Sequence, residues 1–452
     1  MFIYEAQKLL REKKITPSIL LKESMEKIEE RKRLGAFITT NIDQVLELAA
    51  KQDEILESEY DDLPTLFGIP IALKDNIYTK NLRTTAGSLF WKDFVPKQDA
   101  YVAAKMKKAG ALLIGKTNMH EIALGVTSNN PHYGPCLNPH DDSRVAGGSS
   151  GGSAIAVATG MALGALGTDT GGSIRIPASL CGVVGFKPSY GRISTRDVIP
   201  LSWHLDHVGP ITTCVEDARI IFNIITGYDS KDPFSVKNAK KKSKSIEKKQ
   251  IRIAKAVGNF IGESDADVLK VFDDAVKMLQ ESGLSVEEEN VDWLRELSIS
   301  NRTITQVEAA TFHKERLATH PDWFGDDVRE RLLQGTNASG IDYATARYNQ
   351  TIGRHRFEEF FKRYDVLVLP TVPVIAPPVV GKDAVAMAKV LTKFTAPFNL
   401  TGLPAITIPC GKVNSLPIGL QIVGKYMQDQ ALLSIAHILE DILERKNKRL
   451  VN

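Results

Sequence analysis

Two clusters rich in glycine and serine, residues 147–153 and 167–173, lie close together in this chain of 452 residues. The segment between them, residues 154–166, carries no charged side chain, so we expect it to form a buried helix and not a flexible tether. Glycine lets the backbone approach a ligand closely, and serine supplies a nucleophile or a proton relay. The two clusters thus predict a site that attacks an electrophile and binds the resulting negative charge.

A serine nucleophile needs a neighbouring base that takes its proton. None of the nine histidines lies in a recognisable serine-hydrolase motif, and the sequence lacks the Gly-x-Ser-x-Gly nucleophile elbow. Lys74 is the remaining candidate, because it ends a short apolar strand that would bury its stem and favour the neutral amine. Successive side chains on a strand point to opposite faces, so we expect Asp75 to point away from Lys74.

Residues 147–189 resemble the signature of the amidase signature family of Ser–Ser–Lys hydrolases, and residues 71–76 resemble the lysine strand of that family. The spacings agree with the family pattern, since Ser149 follows Lys74 by 75 residues and precedes Ser173 by 24 residues. Further similar blocks lie at residues 86–88, 115–119, 399–405 and 416–421. The resemblance therefore covers most of the chain.

The resemblance implies a role for each matching position. Ser173 matches the nucleophile, Ser149 matches the bridging serine that follows a cis peptide bond, and Lys74 matches the base. The backbone N–H groups that match the oxyanion hole are those of Thr170, Gly171, Gly172 and Ser173. The candidate substrate-binding residues are Met119 and Ser128. In such a site neutral Lys74 takes a proton from Ser149, which takes one from Ser173, and Ser173 attacks the amide carbonyl.

Other polar residues of the two clusters are expected to support the fold. Asp169 and Arg175 are interpreted as a structural ion pair that steadies the second cluster. Ser150 and Ser153 are interpreted as hydrogen-bonded scaffold, because serine in glycine-rich segments is most often a turn residue.

Residues 110–117 satisfy the phosphate-loop pattern Gly-x4-Gly-Lys-Ser/Thr, which makes nucleotide binding a further alternative. The intervening residues, Ala-Leu-Leu-Ile, are typical of a strand and leave no loop that could hold a phosphate. Nucleotide binding is therefore the less favoured function. Met119-His120-Glu121 lacks the second histidine of a zinc-protease helix. The sequence therefore predicts neither a metal nor a cofactor.

The composition, 43% hydrophobic and 25% charged, is typical of an enzyme with a large core. Mixed helical and strand patterns predict an α/β sandwich, and the resemblance adds a large mixed β-sheet covered by helices. Because the signature blocks spread from residue 66 to residue 424, we expect one domain over residues 1–452. Within it we distinguish an N-terminal helical segment (1–60), a basic surface linker (237–250) and a variable helical region at the substrate pocket (300–350).

The predicted strands are 69–74, 111–114, 251–254, 365–370, 405–409 and 419–423. The predicted helices are 4–12, 17–32, 43–56, 100–109, 215–226, 265–282, 304–317, 325–333, 341–362 and 428–445. Thr16 is expected to cap the second of them, with Pro17 at its first position.

Several features favour a cytoplasmic enzyme. The four cysteines show no paired spacing, the N-terminus lacks a signal-peptide pattern, and the sequence has no apolar run of about 18 residues. The net charge is only +3, so neither a nucleic acid nor a membrane is expected as a direct partner. A homodimer is compatible with the sequence but is not required by it.

The prediction of the substrate class depends on the residues at two sequence positions. Family members that use glutamine in the transamidation of misacylated tRNA hold its carboxylate and amine with an arginine and an aspartate, and these positions fall on Gln350 and Thr392. A zwitterionic ligand would lose both charge-assisted contacts here. Arg347 and Arg354 flank Gln350, so a small shift of the alignment would restore the arginine.

We therefore predict a stand-alone amidase that acts on a small-molecule substrate, a neutral or hydrophobic amide, anilide or carbamate-like compound. The alternative is the glutamine-hydrolysing A subunit of an aminoacyl-tRNA amidotransferase. Phe312, Trp323 and Tyr343 are candidates for the pocket wall, with core packing as the more ordinary role for each of them.

Overall fold

The computed structural model describes residues 1–58, 62–237, 248–380 and 383–449. Most of the predicted basic linker (237–250) lies outside the described residues. Among the described helices, none combines the length and the hydrophobicity of a membrane span.

Helices and strands alternate along the described chain. The helices are α1 (Ile3–Arg11), α2 (Pro17–Glu30), α3 (Ile42–Glu57), α4 (Tyr101–Lys108), α5 (Gly151–Ala158), α6 (Arg175–Cys181), α7 (Val215–Ile225), α8 (Asn259–Gly262), α9 (Ala266–Glu281), α10 (Leu294–Phe312), α11 (Lys314–Thr319), α12 (Asp326–Asn337), α13 (Gly340–Arg363), α14 (Ala384–Leu391), α15 (Ala396–Leu400) and α16 (Asp429–Arg449). The strands are β1 (Phe37–Thr40), β2 (Pro70–Lys74), β3 (Leu112–Thr117), β4 (Asn129–Asn130), β5 (Gly134–Pro135), β6 (Leu137–Asn138), β7 (Asp141–Val145), β8 (Gly164–Asp169), β9 (Val184–Lys187), β10 (His207–Thr212), β11 (Arg252–Val257), β12 (Ser285–Asn290), β13 (Val366–Pro370), β14 (Ala405–Val413) and β15 (Leu416–Gly424).

One large sheet organises the described chain. It has 11 strands in the order β1-β3-β2-β8-β10-β9-β14-β15-β13-β11-β12. β2 pairs in parallel with both β3 and β8, whereas β8 pairs antiparallel with β10, so the sheet is mixed. Helices flank it, which confirms the predicted fold class. The parallel pairing of β2 with β8 matters most for the site, because the carboxyl ends of parallel neighbours lie at the same edge of a sheet.

The central strands carry the core. Every residue of β2, β8, β10 and β15 is buried, which requires cover on both faces of the sheet. Strands that are covered on both faces form nearly continuous apolar runs and do not alternate between apolar and polar residues. This explains why β2, β13 and β15 were recognisable in the sequence as short apolar runs.

The segment between the two glycine-serine clusters differs from its prediction. It is not one helix over residues 154–166, because α5 ends at Ala158 and β8 begins at Gly164. Gly160, with φ +70°, provides the left-handed turn between them. The expected burial is confirmed, but the apolar run contains two elements of different type. Periodicity alone does not separate a buried strand from a buried helix.

The N-terminal end of α2 is as predicted. The Thr16 side chain accepts a hydrogen bond from the Ile19 N–H, and Pro17 occupies the first helical position. The prediction for residues 304–317 was wrong in its bounds, since α10 starts at Leu294 and a separate helix, α11, follows it.

A buried ion pair ties the second glycine-serine cluster to the rest of the sheet. Arg175 and Asp169 are both inaccessible to solvent, and two nitrogens of Arg175 lie 2.9 and 3.0 Å from the Asp169 carboxylate. Arg175 also donates to Gln421 on β15 and to Asn399 on α15. Burial by itself would raise the pKa of Asp169, but Arg175 and the other partners of the Asp169 carboxylate hold that pKa below its usual range. The predicted structural ion pair is confirmed.

Substitution of Arg175 should therefore destabilise the fold. Arg175→Met leaves the Asp169 carboxylate buried without its partner, and we expect the free energy of unfolding to fall by about 3–5 kcal/mol. The measurement is urea denaturation followed by circular dichroism. Arg252→Met removes an exposed ion pair with Asp365 and should cost less than about 1 kcal/mol. Equal losses of unfolding free energy in the two variants would contradict the assignment of Arg175 and Asp169 as a structural ion pair.

Candidate active site

The ends of β2 and β8 and the two glycine-serine clusters themselves form one site. Lys74 is the last residue of β2, and Thr168 lies near the end of its parallel neighbour β8. Ser149 precedes α5, and Ser173 lies between β8 and α6. The Ser150 N–H donates to the Ser173 carbonyl at 3.1 Å, which joins the two clusters.

Lys74 is fully buried and lies among hydroxyl groups. Its Nζ is 2.7 Å from Ser149 Oγ and 2.7 Å from Thr168 Oγ1. Burial lowers the pKa of Lys74 to about 7, although the charges of Asp169 and Asp206 act in the opposite direction. Near neutral pH a large fraction of Lys74 is therefore uncharged and able to accept a proton from a hydroxyl group.

Asp75 does not contact the Lys74 amine. Its carboxylate accepts hydrogen bonds from the backbone N–H and the hydroxyl of Thr85, and it lies 3.9 Å from Lys116 Nζ. The prediction that Asp75 points away from Lys74 is confirmed. An adjacent carboxylate would have held the lysine in its charged form.

The peptide bond between Gly148 and Ser149 is cis, as the resemblance implied. Ser173 is 4% exposed and lines a cavity. Among the described residues, the Ser173 hydroxyl has no hydrogen-bond partner, and none joins it to Ser149. The structure thus brings Lys74 and Ser149 into contact, whereas a proton transfer from Ser173 requires its hydroxyl to turn toward Ser149. Such contacts often tighten only when a substrate binds.

The predicted oxyanion donors differ in their availability. The Gly172 N–H donates to the Asp169 carboxylate at 2.7 Å, so Gly172 is not a free donor, contrary to the prediction. The N–H groups of Gly171 and Ser173 have no partner among the described residues. Gly172 has φ +135°, and a Cβ atom there would collide with the Thr395 hydroxyl, so this position requires glycine.

A cavity with an empty volume of about 620 Å³, including its open mouth, adjoins Ser173. It is lined by Ala123, Leu124, Gly125, Val126, Thr170, Gly171, Ser173, Leu201, Asn301, Arg302, Thr305, Gln306, Arg331, Val385, Ala388, Lys389 and Thr392. The helical region 300–350 thus contributes to the wall, mainly through α10.

The predicted aromatic residues do not line this cavity. The Tyr343 hydroxyl donates to Glu308 at 2.8 Å, and the Phe312 ring packs against Arg316 and His313. Trp323 packs against the ring of Phe90. All three have structural contacts, which was the more ordinary interpretation of them.

Met119 and Ser128 are fully buried and do not line the cavity either. Met119 belongs to an apolar cluster, and the Ser128 hydroxyl accepts a hydrogen bond from the Gly151 N–H at 3.2 Å. The structure therefore places both residues behind the cavity wall, where Ser128 supports the start of α5.

Sequence reasoning missed two residues of the site. Thr168 binds the Lys74 amine, and Asp206 accepts a hydrogen bond from the Thr170 hydroxyl at 2.6 Å. Burial raises the pKa of Asp206 to about 6. Thr168 belongs to the second glycine-serine cluster and directly precedes Asp169, so its position in the sequence could have identified it as a site residue. Asp206 lies in no recognisable motif, so no sequence signal pointed to it.

The two positions that matched the glutamine-binding residues have other contacts. The Gln350 side chain is buried and donates to the Leu400 carbonyl at 2.6 Å, away from the cavity. Thr392 lines the cavity, but its hydroxyl donates to the Ala388 carbonyl. Neither Arg347 nor Arg354 is among the lining residues of the described cavity.

The segment that matched the phosphate-loop pattern is a strand. Lys116 lies within β3, is fully buried, and donates to the Ile77 carbonyl and the Thr84 hydroxyl. A phosphate-binding lysine has to reach its ligand from an exposed loop. This geometry gives no support to nucleotide binding at residues 110–117.

Comparisons with known proteins agree with the geometry. The Amidase family model matches residues 20–433. The A subunit of glutamyl-tRNA(Gln) amidotransferase from Listeria innocua serovar 6a is 37% identical over 97% of this chain and 96% of its own length. A crystal structure described as an amidase superposes with a TM-score of 0.88 at 35% identity, over 98% of this chain and 100% of that one.

The A subunit of glutamyl-tRNA(Gln) amidotransferase from Thermotoga maritima superposes with a TM-score of 0.81 at 33% identity, over 96% of this chain and 93% of that one. Both the family model and the relatives cover nearly the whole chain. The chain therefore belongs to the amidase signature family and is an amidase, a hydrolase of amide C–N bonds.

Proposed function

We propose that the chain is a stand-alone amidase in which Ser173 forms the acyl-enzyme, Ser149 relays protons and neutral Lys74 is the general base. The contact between Lys74 Nζ and Ser149 Oγ, 2.7 Å long and closed to solvent, carries this proposal. An amine with a pKa near 7 is matched to proton transfer at neutral pH.

In the first step Lys74 takes the proton of Ser149, Ser149 takes the proton of Ser173, and Ser173 Oγ bonds to the amide carbon. The carbonyl oxygen becomes an oxyanion, for which the N–H groups of Gly171 and Ser173, which have no partner among the described residues, are the available donors. The proton then returns through Ser149 to the leaving nitrogen as the C–N bond breaks. Water hydrolyses the ester with Lys74 again acting as the base.

The glutamine-using A subunit is the second candidate, because relatives at 37% identity carry that name. The cavity argues for the stand-alone enzyme. By the family resemblance, Gln350 and Thr392 match the positions of the arginine and the aspartate of such a protein, and the Gln350 amide is already bound to the Leu400 carbonyl. Arg347 and Arg354, which a shifted alignment would offer instead of Gln350, are not among the lining residues of the described cavity. The α-amine and α-carboxylate of glutamine would therefore lack these charged partners.

A fluorophosphonate probe tests the nucleophile. We expect the probe to add a single label at Ser173, and Ser173→Ala to abolish both the label and amide hydrolysis, as read by intact mass and by amine release. Ser153→Ala is the matched control, because the Ser153 hydroxyl is bound to Thr117 and to the Leu166 carbonyl. A label that persists in Ser173→Ala would refute the assignment.

The pH profile tests the base. Below pH 7 Lys74 is protonated and cannot accept the proton of Ser149, so kcat/KM should rise about tenfold per pH unit and level off above a midpoint near 7. Asp206→Asn removes a charge that raises the pKa of Lys74 and should move this midpoint to lower pH. Asp322→Asn, at an exposed position, should leave it in place. A flat profile from pH 5 to pH 9 would contradict the mechanism.

The requirement for partners separates the two candidate functions. The purified chain alone should release ammonia or amine from small amides at a rate that does not change with added protein partners. The glutamine-using A subunit would instead release ammonia chiefly from glutamine and only in its complex. Ammonia release from a panel of amides, anilides, carbamates and glutamine measures the difference.

A further inference from the structure

The cavity beside Ser173 has an unbalanced set of charges. Its lining includes three basic side chains, Arg302, Arg331 and Lys389, and no aspartate or glutamate of the described chain is among the residues that line it. A concave site lined by one sign of charge concentrates ligands of the opposite sign. The charge of this cavity therefore bears directly on the substrate.

The three cations are not equivalent. Arg331 lies 2.8 Å from the Asp327 carboxylate and also donates to the carbonyls of Leu124 and Ala384, so its charge is balanced within the fold. The side chains of Arg302, which is half-buried, and Lys389, which is exposed, in contrast have no ion pair and no hydrogen bond to any described residue. Burial lowers the pKa of the Arg302 guanidinium, as expected for a partly enclosed cation that lacks a counter-ion.

A second polar group on α10 also lacks a partner. Arg302, Thr305 and Gln306 lie on one face of this helix, at positions i, i+3 and i+4, and all three line the cavity. The Thr305 hydroxyl is buried and makes no hydrogen bond to a described residue. Buried polar groups are nearly always hydrogen-bonded in folded proteins, so this face of α10 is suited to a polar ligand.

The same helix is fixed to the nucleophile loop. The side chain of Asn301, next to Arg302, donates to the Thr170 carbonyl at 3.1 Å, and Asn301, Thr170 and Ser173 line one continuous cavity. A ligand whose carbonyl meets Ser173 can thus extend toward Arg302 without leaving the cavity.

We propose that the substrate is an amide that also carries a carboxylate, of the class of the monoamides of dicarboxylic acids, with Arg302 binding the carboxylate and Lys389 adding a second positive charge. The planar guanidinium of arginine matches the two oxygens of a carboxylate. This inference rests on the proposed amidase function and names the substrate class of the same site.

The lining also discriminates against other charge types. A cationic amide would meet like charges, and a zwitterion such as glutamine would find no carboxylate for its ammonium group among the residues that line the described cavity. The sequence-based expectation of a neutral substrate did not take Arg302 and Lys389 into account.

Glutaramide, glutaramate and L-glutamine form a matched set of probes, because they share one carbon skeleton and differ by a carboxylate and then by an ammonium group. We expect kcat/KM for glutaramate to exceed that for glutaramide by roughly tenfold to a hundredfold, after correction for the two amides of glutaramide, and glutamine to be the poorer of the two charged substrates. The succinic and adipic homologues extend the set to shorter and longer chains.

Substitution on α10 assigns the preference to Arg302. Arg302→Gln should bring the glutaramate-to-glutaramide ratio to within about threefold of unity, and Arg302→Lys should restore part of it. Arg295→Gln is the matched control, because it removes a positive charge from the same helix at a residue that pairs with Glu263 outside the cavity. The glutaramate-to-glutaramide ratio of the Arg295→Gln variant should equal that of the wild type.

Protection from labelling provides a readout that does not need turnover. Glutarate should protect Ser173 of the wild type from the fluorophosphonate and should protect the Arg302→Gln variant at least tenfold less well. Equal use of glutaramate and glutaramide, or a ratio unchanged by Arg302→Gln, would overturn the inference and leave the amidase function intact. Absence of protection by succinate, glutarate and adipate together with absence of turnover of their monoamides would overturn it as well. Loss of Ser173 labelling altogether would instead refute the proposed function.

Discussion

The amine of Lys74 lies at the carboxyl end of β2, where water does not reach it, with hydroxyl groups as its nearest polar neighbours. Desolvation destabilises the ammonium form more than the more distant charges of Asp169 and Asp206 stabilise it, so the pKa falls to about 7. This balance depends on the direction of one neighbouring side chain. Asp75 follows Lys74 directly, and strand alternation turns its carboxylate toward Lys116 instead. The proposed roles of Ser149 and Ser173 depend on that separation of charges.

A single carboxylate shapes the nucleophile loop. The Asp169 carboxylate binds the N–H groups of Gly172 and Ile174 and the guanidinium of Arg175, which fixes the loop on both sides of Ser173. The hydrogen bonds that hold the loop and the engagement of the Gly172 N–H, which is therefore not a free donor, have one cause. The Ser173 hydroxyl is left without a described partner and lines the cavity, where it is free to meet a carbonyl carbon.

The sequence predicted the strands that are covered on both faces, such as β2 and β13, because their apolar residues are contiguous. It did not separate α5 from β8, since both are small, apolar and rich in glycine. Within the site, the contact of Lys74 with Ser149 agrees with the spacing of the motifs. The contact with Thr168 arises from the parallel register of β2 and β8, which no local pattern encodes. The cavity-lining residues of α10 were not identified as such because they are ordinary polar residues of a helix.

Family membership and substrate choice rest on different parts of this molecule. The proposed chemistry resides at the sheet edge and the two glycine-serine clusters, within a resemblance to the relatives that spans nearly the whole chain. The charged side chains of the cavity wall come from α10, α12 and α14, and there the balance of charge departs from what a zwitterion requires. Thr392 carries no charge and Arg302 has no described partner, while Gln350 lies away from the cavity and is bound to a backbone carbonyl. A guanidinium that is partly enclosed and unpaired has a free-energy cost in the empty enzyme. That cost is offset when an anionic group of the substrate occupies the cavity, so the energy of substrate binding and the choice of substrate arise from the same residue.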